Sequence, residues 1–188
     1  MPLRRGLLII VRLVATRDKV ASEVMMIYLN IPGREPLQIR WIISDYTGTL
    51  AFAGSLRLGV KDRLHQLAAA VQLHVITSDT FGTARRELAG LQLSLHLLDL
   101  GSSHDIQKVR YLTDNEIDPG QVAAFGNGSN DRLLLKAVKD AGGLAVAVDN
   151  GEGCALDALL NSNILVNGSE NALDLLLESD RCKATLRL

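Results

Sequence analysis

The sequence predicts a doubly wound, mostly parallel, Rossmann-like α/β sheet, and three observations carry that expectation. Short aliphatic runs alternate with helix-period segments from Ile27 onward, which is the pattern of successive βα units. The hydrophobic fraction is 47% and the aromatic fraction only 4%, so the core is aliphatic, as suits strands covered by helices on both faces. A chain of 188 residues is long enough to bury such a core within one domain.

The elements follow in order. Ile27–Ile31, the Pro32-Gly33 pair and Leu37–Ile39 read as a hairpin-like lead-in, and an apolar strand covers about Arg40–Ser44. Leu64, Leu67, Ala68 and Val71 recur at i, i+3, i+4 and i+7, which predicts a helix over about Lys61–Val71. A strand at Leu73–Thr77 precedes a helix near Thr83–Leu91. Leu91, Leu93, Leu95 and Leu97 then alternate with Gln92, Ser94 and His96; a period of two leaves one face wet and marks an edge strand. Next come a helix near Ile106–Asn115, a strand at Val122–Phe125, a helix over about Asp131–Ala141 and a strand at Leu144–Val148. A short helix at about Ala155–Leu160, a strand at Ile164–Val166 and a helix at Glu170–Leu177 complete the cover. No repeat, linker or composition break divides residues 26–188, so one domain is expected there.

The formal net charge of −1 gives no electrostatic case for nucleic acid or acidic membranes as partners. Cys154 and Cys182 lack CxxC spacing and read as buried free thiols of a reducing cytoplasm. His65, His74, His96 and His104 are scattered, without the spacing that places two zinc ligands on one helical face. Residues 1–25 stand apart, with Arg4 and Arg5, the run Leu7–Val11, then Arg12 and Arg17. That run is far short of the roughly 20 apolar residues of a membrane span and has no cleavage site of the signal-peptide kind. It is either an amphipathic tail or a stretch preceding a true start at Met25 or Met26.

Polar residues gather where the apolar strands end, which is where open α/β sheets bind ligands. Asp45 follows Ile42-Ile43-Ser44 directly and is a candidate nucleophile, and Gly48 in Asp45-Tyr46-Thr47-Gly48-Thr49 allows a tight turn of amides. Alone, the run reads equally well as a turn with a capping Asp. Thr77, in Val75-Ile76-Thr77-Ser78-Asp79, offers a hydroxyl at a second strand end, although Ser78 or Asp79 can equally cap the next helix. Lys108 lies near a helix start, where a cation opposes the helix dipole, so a role against a phosphoryl group or a carboxylate competes with simple exposure. In Phe125-Gly126-Asn127-Gly128-Ser129-Asn130-Asp131, two glycines open a strand-to-helix turn and Asn127 and Asp131 supply oxygens suited to a hard cation. Helix capping by Asn130 or Asp131 is the ordinary alternative.

In this order, D-x-T-G-T-L from Asp45, T-S-D from Thr77, Lys108, and G-N-G-x-N-D from Gly126 resemble the four motifs of the haloacid dehalogenase-like superfamily. Thr47 sharpens the likeness: most phosphatases of that superfamily have D-x-D there, whereas the phosphorylation domain of P-type cation ATPases has D-K-T-G-T. The chain resembles the soluble proteins related to those pumps, over about Met26 to the C-terminus. The resemblance implies a Mg²⁺-dependent phosphohydrolase or phosphotransferase in which Asp45 forms an aspartyl-phosphate. It further implies a metal held by the Asp45 carboxylate, the Thr47 carbonyl, Asn127 and Asp131. Thr77, Ser78, Asn130 and the Gly48 amide would cradle phosphoryl oxygens, and Lys108 would balance charge.

Two departures from the motif carry consequences. Thr47 cannot act as the general acid and base supplied by the second Asp of D-x-D, a loss worth roughly 10²–10⁴ in rate. Asn127 replaces an Asp and removes one negative charge from the metal site. A non-hydrolytic phosphoacceptor or regulatory module using the same pocket is therefore the competing expectation. Only one helix is predicted between Ala51 and Gln72, and only a helix and a strand between Ser78 and Gln107, so neither span holds a cap domain. An open site is expected, with a macromolecular phosphorylated substrate or closure by a neighbouring subunit, and the edge strand Leu91–Leu97 is a candidate surface for a homo-oligomer.

Overall fold

The computed structural model describes residues 25–188, and the tail expected over residues 1–25 falls almost wholly outside them. The lead-in is an antiparallel pair, β1 (Ile27–Leu29) and β2 (Leu37–Ile39). The central sheet is built from β3 (Trp41–Ser44), β6 (Gln72–Thr77), β7 (Ser94–Leu97), β8 (Val122–Gly126), β9 (Leu144–Asp149) and β10 (Ile164–Asn167). Its order is β10-β9-β8-β3-β6-β7 and every pairing is parallel. Chain order runs outward in both directions from β3, so the carboxyl end of β3 is the point where the winding reverses and a crevice opens.

Strands buried on both faces need apolar residues at successive positions, and β8 and β9 meet that need with Val-Ala-Ala-Phe-Gly and Leu-Ala-Val-Ala-Val. Ile42 joins the core on one face and Ile43 the core on the other. The first face is covered by α1 (Val60–Ala68), α6 (Ser169–Leu177) and α7 (Ser179–Leu186), through Leu64, Leu67, Leu173, Leu176 and Cys182. The second is covered by α3 (His104–Asp114), α4 (Arg132–Asp140) and α5 (Leu156–Leu160), through Leu112, Leu134, Leu135, Val138 and Ala158. Arg63 on α1 grips Asp174 on α6 through two hydrogen bonds of 2.6 and 2.9 Å.

Several expectations are revised. The helix expected over Thr83–Leu91 is a single short piece, α2 (Ala84–Glu87), and the expected edge strand begins only at Ser94, although β7 does lie at the sheet's edge. Cys182 is buried but Cys154 only half so. The C-terminal helix α7 had no counterpart in the periodicity reading. Among the described residues no helix is long and apolar enough to cross a membrane.

The largest revision lies between Ala51 and Gln72, where one helix was expected. A two-stranded flap, β4 (Ala51–Phe52) and β5 (Ser55–Leu56), precedes α1. Ala53 and Gly54 form its turn with φ of 47° and 77°, the left-handed pair that a tight hairpin needs. The Gly54 carbonyl accepts the Tyr46 hydroxyl at 2.8 Å and the Thr83 hydroxyl as well, while the Ala53 amide donates to Glu152. The Asn150 side chain donates to the Ala51 carbonyl at 2.9 Å. Loops after β3, β6 and β9 thus all hold the flap.

Tyr46→Phe removes one of these buried bonds while keeping the ring, at a cost of about 1 kcal/mol. The expected outcome is near-native global stability with faster amide hydrogen exchange confined to residues 51–56; unchanged exchange there would show that the tyrosine hydroxyl does not hold the flap.

Candidate active site

Sheet register decides which side chains meet. Ser44 lies opposite Val75 on one neighbour and Phe125 on the other, and the Asp45 amide donates to the Phe125 carbonyl at 2.9 Å. Asp45, Thr77 and Asn127 therefore leave three adjacent strands at one edge. Lys108 comes from the crossover helix α3, in its second turn. It is wholly buried, and its ammonium donates to Asp45 Oδ1 at 2.8 Å and to Asp131 Oδ1 at 2.6 Å.

Asp131 is held from the other side. Its Oδ2 accepts the amides of Asn127 at 3.0 Å and Gly128 at 2.9 Å, closing the 3₁₀ turn Ser129–Asp131 back onto the end of β8. A side chain at Gly126 would collide with Asp131, so that glycine is what lets the carboxylate approach. Gly48, with φ of 78°, plays the matching part for Asn127, whose amide would collide with any added Cβ. Asn127 Nδ2 donates to the Gly153 carbonyl at 3.1 Å, and Thr49 donates to Asn127 Oδ1 at 3.3 Å.

Two carboxylates share one ammonium here, so the buried cluster carries a net charge of −1. Burial pushes the Asp45 carboxyl up; Lys108 lowers it, Asp131 raises it again, and the result is about 6. For Lys108, burial works against the charged form, but Asp131 and Asp45 outweigh it and hold the ammonium above its ordinary range. An uncompensated negative charge in a dry site, with oxygens from Asp45, Asp131 and Asn127 around it, suits a hard divalent cation. Asp131 Oδ1 keeps one lone pair beyond its bond from Lys108, whereas Oδ2 is filled by the two amides. The Thr47 hydroxyl adds a second sign of a missing partner: it is buried with no hydrogen-bond partner, a state that buried hydroxyls rarely tolerate.

Other expectations are met in a different form. The Gly48 amide donates to the Ala51 carbonyl at 2.9 Å and so is taken up by the turn; it is not free for a phosphoryl oxygen in this conformation. The Thr77 hydroxyl is buried and accepts the Asp79 amide at 3.0 Å. Asp79 caps α2, accepting the amides of Thr83 and Ala84 at 2.9 and 3.0 Å. The Ser78 hydroxyl lies 3.4 Å from that of Thr80, and Asn130 packs over Gly128. The site is also less open than expected, since the Asp45 side chain is only 7% exposed.

Sequence reading overlooked three contributors: Thr49 on Asn127, the loop Asp149–Gly153 behind the flap, and the pair Asp105–Arg132 beside Lys108 and Asp131. The loop was detectable, because Asp149-Asn150-Gly151-Glu152-Gly153 is another polar, glycine-rich run at a strand end.

The net negative charge has a measurable consequence. A carboxyl whose folded pKa is raised contributes stability that is fully present below its unfolded value, 3.8, and is lost as pH rises through about 6. At pH 7.5 the metal-free protein thus bears an ionised Asp45 at a cost on the order of 3 kcal/mol. Asp45→Asn should raise the melting temperature there by on the order of 5 °C, with the gain vanishing near pH 4; a lower melting temperature at pH 7.5 would contradict the charge count.

No family model matches the sequence. An uncharacterized protein of Methanocaldococcus jannaschii is 39% identical over 87 residues, which cover 45% of this chain and 89% of that protein. Among solved structures, the 3-deoxy-D-manno-octulosonate 8-phosphate phosphatase of Moraxella catarrhalis, in complex with magnesium, phosphate and KDO, superposes with a TM-score of 0.58 at 18% identity. The match covers 79% of this chain and 94% of that one. The cobalt-bound phosphatase of the same description from Haemophilus influenzae gives 0.58 at 17% identity over 78% and 91%. A haloacid dehalogenase family hydrolase from Streptomyces avermitilis gives 0.54 at 17% identity over 73% and 82%. The chain belongs to the same family as the archaeal protein, and its fold is that of the haloacid dehalogenase-like hydrolases.

Proposed function

We propose that this protein is a Mg²⁺-dependent phosphohydrolase or phosphotransferase that acts through an aspartyl-phosphate on Asp45 and turns over slowly. The observation that carries the reading is the single buried ammonium of Lys108 bridging Asp45 and Asp131. A nucleophilic carboxylate attacking a phosphoryl group needs a fixed position and a neighbouring cation more than it needs basicity. Lys108 supplies both, and Asp131 keeps that ammonium charged and in place. Solved structures of this fold include 3-deoxy-D-manno-octulosonate 8-phosphate phosphatases, which supports a phosphate ester or anhydride as the substrate class.

Asp45, Asp131 and Asn127 would hold the Mg²⁺, which supplies charge neutralisation at the transferring phosphoryl. Asp45 attacks phosphorus, forming the acyl-phosphate bond while the leaving oxygen departs with the bonding pair. Thr77, buried at the end of β6 beside β3, would support the phosphoryl oxygens. Thr47 stands where a general acid would protonate the leaving group. Its hydroxyl donates a hydrogen bond there but does not give up its proton, so good leaving groups react best and the acyl phosphate is long-lived. A phosphoacceptor switch is the second reading, favoured by Thr47 together with the near-complete burial of Asp45.

Incubation with acetyl phosphate and Mg²⁺, following both phosphate release and protein mass, tests these readings. Phosphate release with a transient +80 Da adduct of order one per chain supports the enzyme; a stable adduct without release supports the switch. Neither signal, in wild type and Asp45→Asn alike, would sink both. Thr47→Asp should raise turnover about 10²-fold, and unchanged turnover would remove Thr47 as the cause of slowness. Asn127→Asp should lower the Mg²⁺ concentration for half-maximal activity about tenfold through the added charge; an unaltered midpoint would show that position 127 does not sense the metal.

A further inference from the structure

We infer that Asp105 and Arg132 are positioning residues for Lys108, an ion pair that sets where the bridging ammonium stands; this rests on the reading of Asp45 as a phosphoryl acceptor. Arg132 sends Nε and an Nη to the same Asp105 oxygen, at 3.0 and 2.8 Å. The other Asp105 oxygen accepts the Ile106 amide at 2.8 Å and the Ser103 hydroxyl, tying the carboxylate to the first turn of α3. Asp105 is 6% exposed although it is charged and lies outside the catalytic cluster. Isolated carboxylates are not buried in this way without a partner that repays the desolvation.

The placement gives the pair its task. Asp105 and Lys108 are three residues apart on α3 and so share one face, one turn from each other. Asp131 and Arg132 are consecutive at the start of α4. Two ion pairs therefore cross the same helix junction: Asp105 with Arg132, and Lys108 with Asp131. Lys108 reaches its partners on a flexible four-carbon stem, so the position of the helix backbone decides whether the ammonium spans both carboxylates or only one. The planar Arg132 fork fixes that backbone more tightly than a single point charge would. Arg132 itself is about half exposed, so its removal leaves Asp105 held by the Ile106 amide and the Ser103 hydroxyl alone, and Arg132→Lys controls for that lost charge.

The test follows Lys108 directly and then its chemistry. In ¹H–¹⁵N spectra of the full chain, the Lys108 ammonium, assigned by its loss in Lys108→Arg, is expected as a slowly exchanging resonance. Arg132→Gln should shift or broaden it, and Arg132→Lys should restore it in part. With acetyl phosphate and Mg²⁺, Arg132→Gln should lower the rate of Asp45 phosphorylation about 10- to 100-fold with KM within about twofold, as expected for a loss in the transition state alone. In a Lys108→Ala background the same substitution should cost nothing further. A Lys108 resonance unmoved in Arg132→Gln, or losses that multiply across the two substitutions, would overturn the inference. A wild-type protein that is never phosphorylated would overturn the phosphoryl-transfer reading instead, and the resonance would still decide the role of the pair.

Discussion

One ammonium shared between two carboxylates is the constraint around which this molecule is arranged. Lys108 has no exposed surface, and its two partners come from segments 63 and 23 residues away in the chain. Bringing three charges to one point at the end of β3 requires the parallel register of β3 with β8, the crossover that delivers α3, and glycines at 48 and 126 that leave room for Asn127 and Asp131. Removing Lys108 would leave two carboxylates uncompensated in a dry site, which is more costly than never having built the cluster. A network of this kind is weak evidence for stability and good evidence for chemistry.

Among the described residues, a small flap stands beside the ends of three sheet loops. The flap is only two short strands, yet Tyr46, Thr83, Asn150 and Glu152 fasten it from three loops. Because these bonds meet the flap's own backbone groups, they fix it in a specific position and leave few buried amides or carbonyls unpaired. Separately, burial keeps Asp45 out of water, raises its pKa and strengthens every Coulomb interaction within the cluster. Thr47, half-buried in the loop after β3, keeps a buried hydroxyl without a hydrogen-bond partner.

The sequence made the sheet and the four motif positions readable because both depend on local signals. Runs such as Val122–Phe125 and Leu144–Val148 are apolar at every position, and Asp45, Thr77 and Asn127 each follow directly from a strand end. The flap was not readable: strands of two residues carry no periodicity, and Ala51–Leu56 shows neither an Asn-Gly nor an Asp-Gly turn. The helix α7 was missed because Ser179-Asp180-Arg181-Cys182-Lys183 buries only its serine and cysteine in that stretch and so lacks an apolar stripe. Lys108 was located, but its burial was not evident, since a lysine in a helix usually ends in solvent. The Gly48 amide, which the resemblance gives to a phosphoryl oxygen, donates to the Ala51 carbonyl in this conformation.

The charge order at the α3–α4 junction explains why the cluster forms in one register. Along α3 the order is acid then base, Asp105 then Lys108, and at the start of α4 it is again acid then base, Asp131 then Arg132. Like orders on two segments that pair crosswise are self-checking. In the native register each charge meets its opposite, at 2.6 Å for the buried pair and 2.8 Å for the partly exposed one. Sliding α3 by one turn would set Asp105 against Asp131 or Lys108 against Arg132, and like charges so close in a region shielded from water cost several times what they would in solvent. Hydrophobic packing alone does not discriminate this way, because Leu112, Leu134 and Val138 would still find apolar neighbours after a small slide. The ion pairs therefore contribute little to how strongly the helices associate and much to where they stop, and that stopping point is what places one ammonium between two carboxylates.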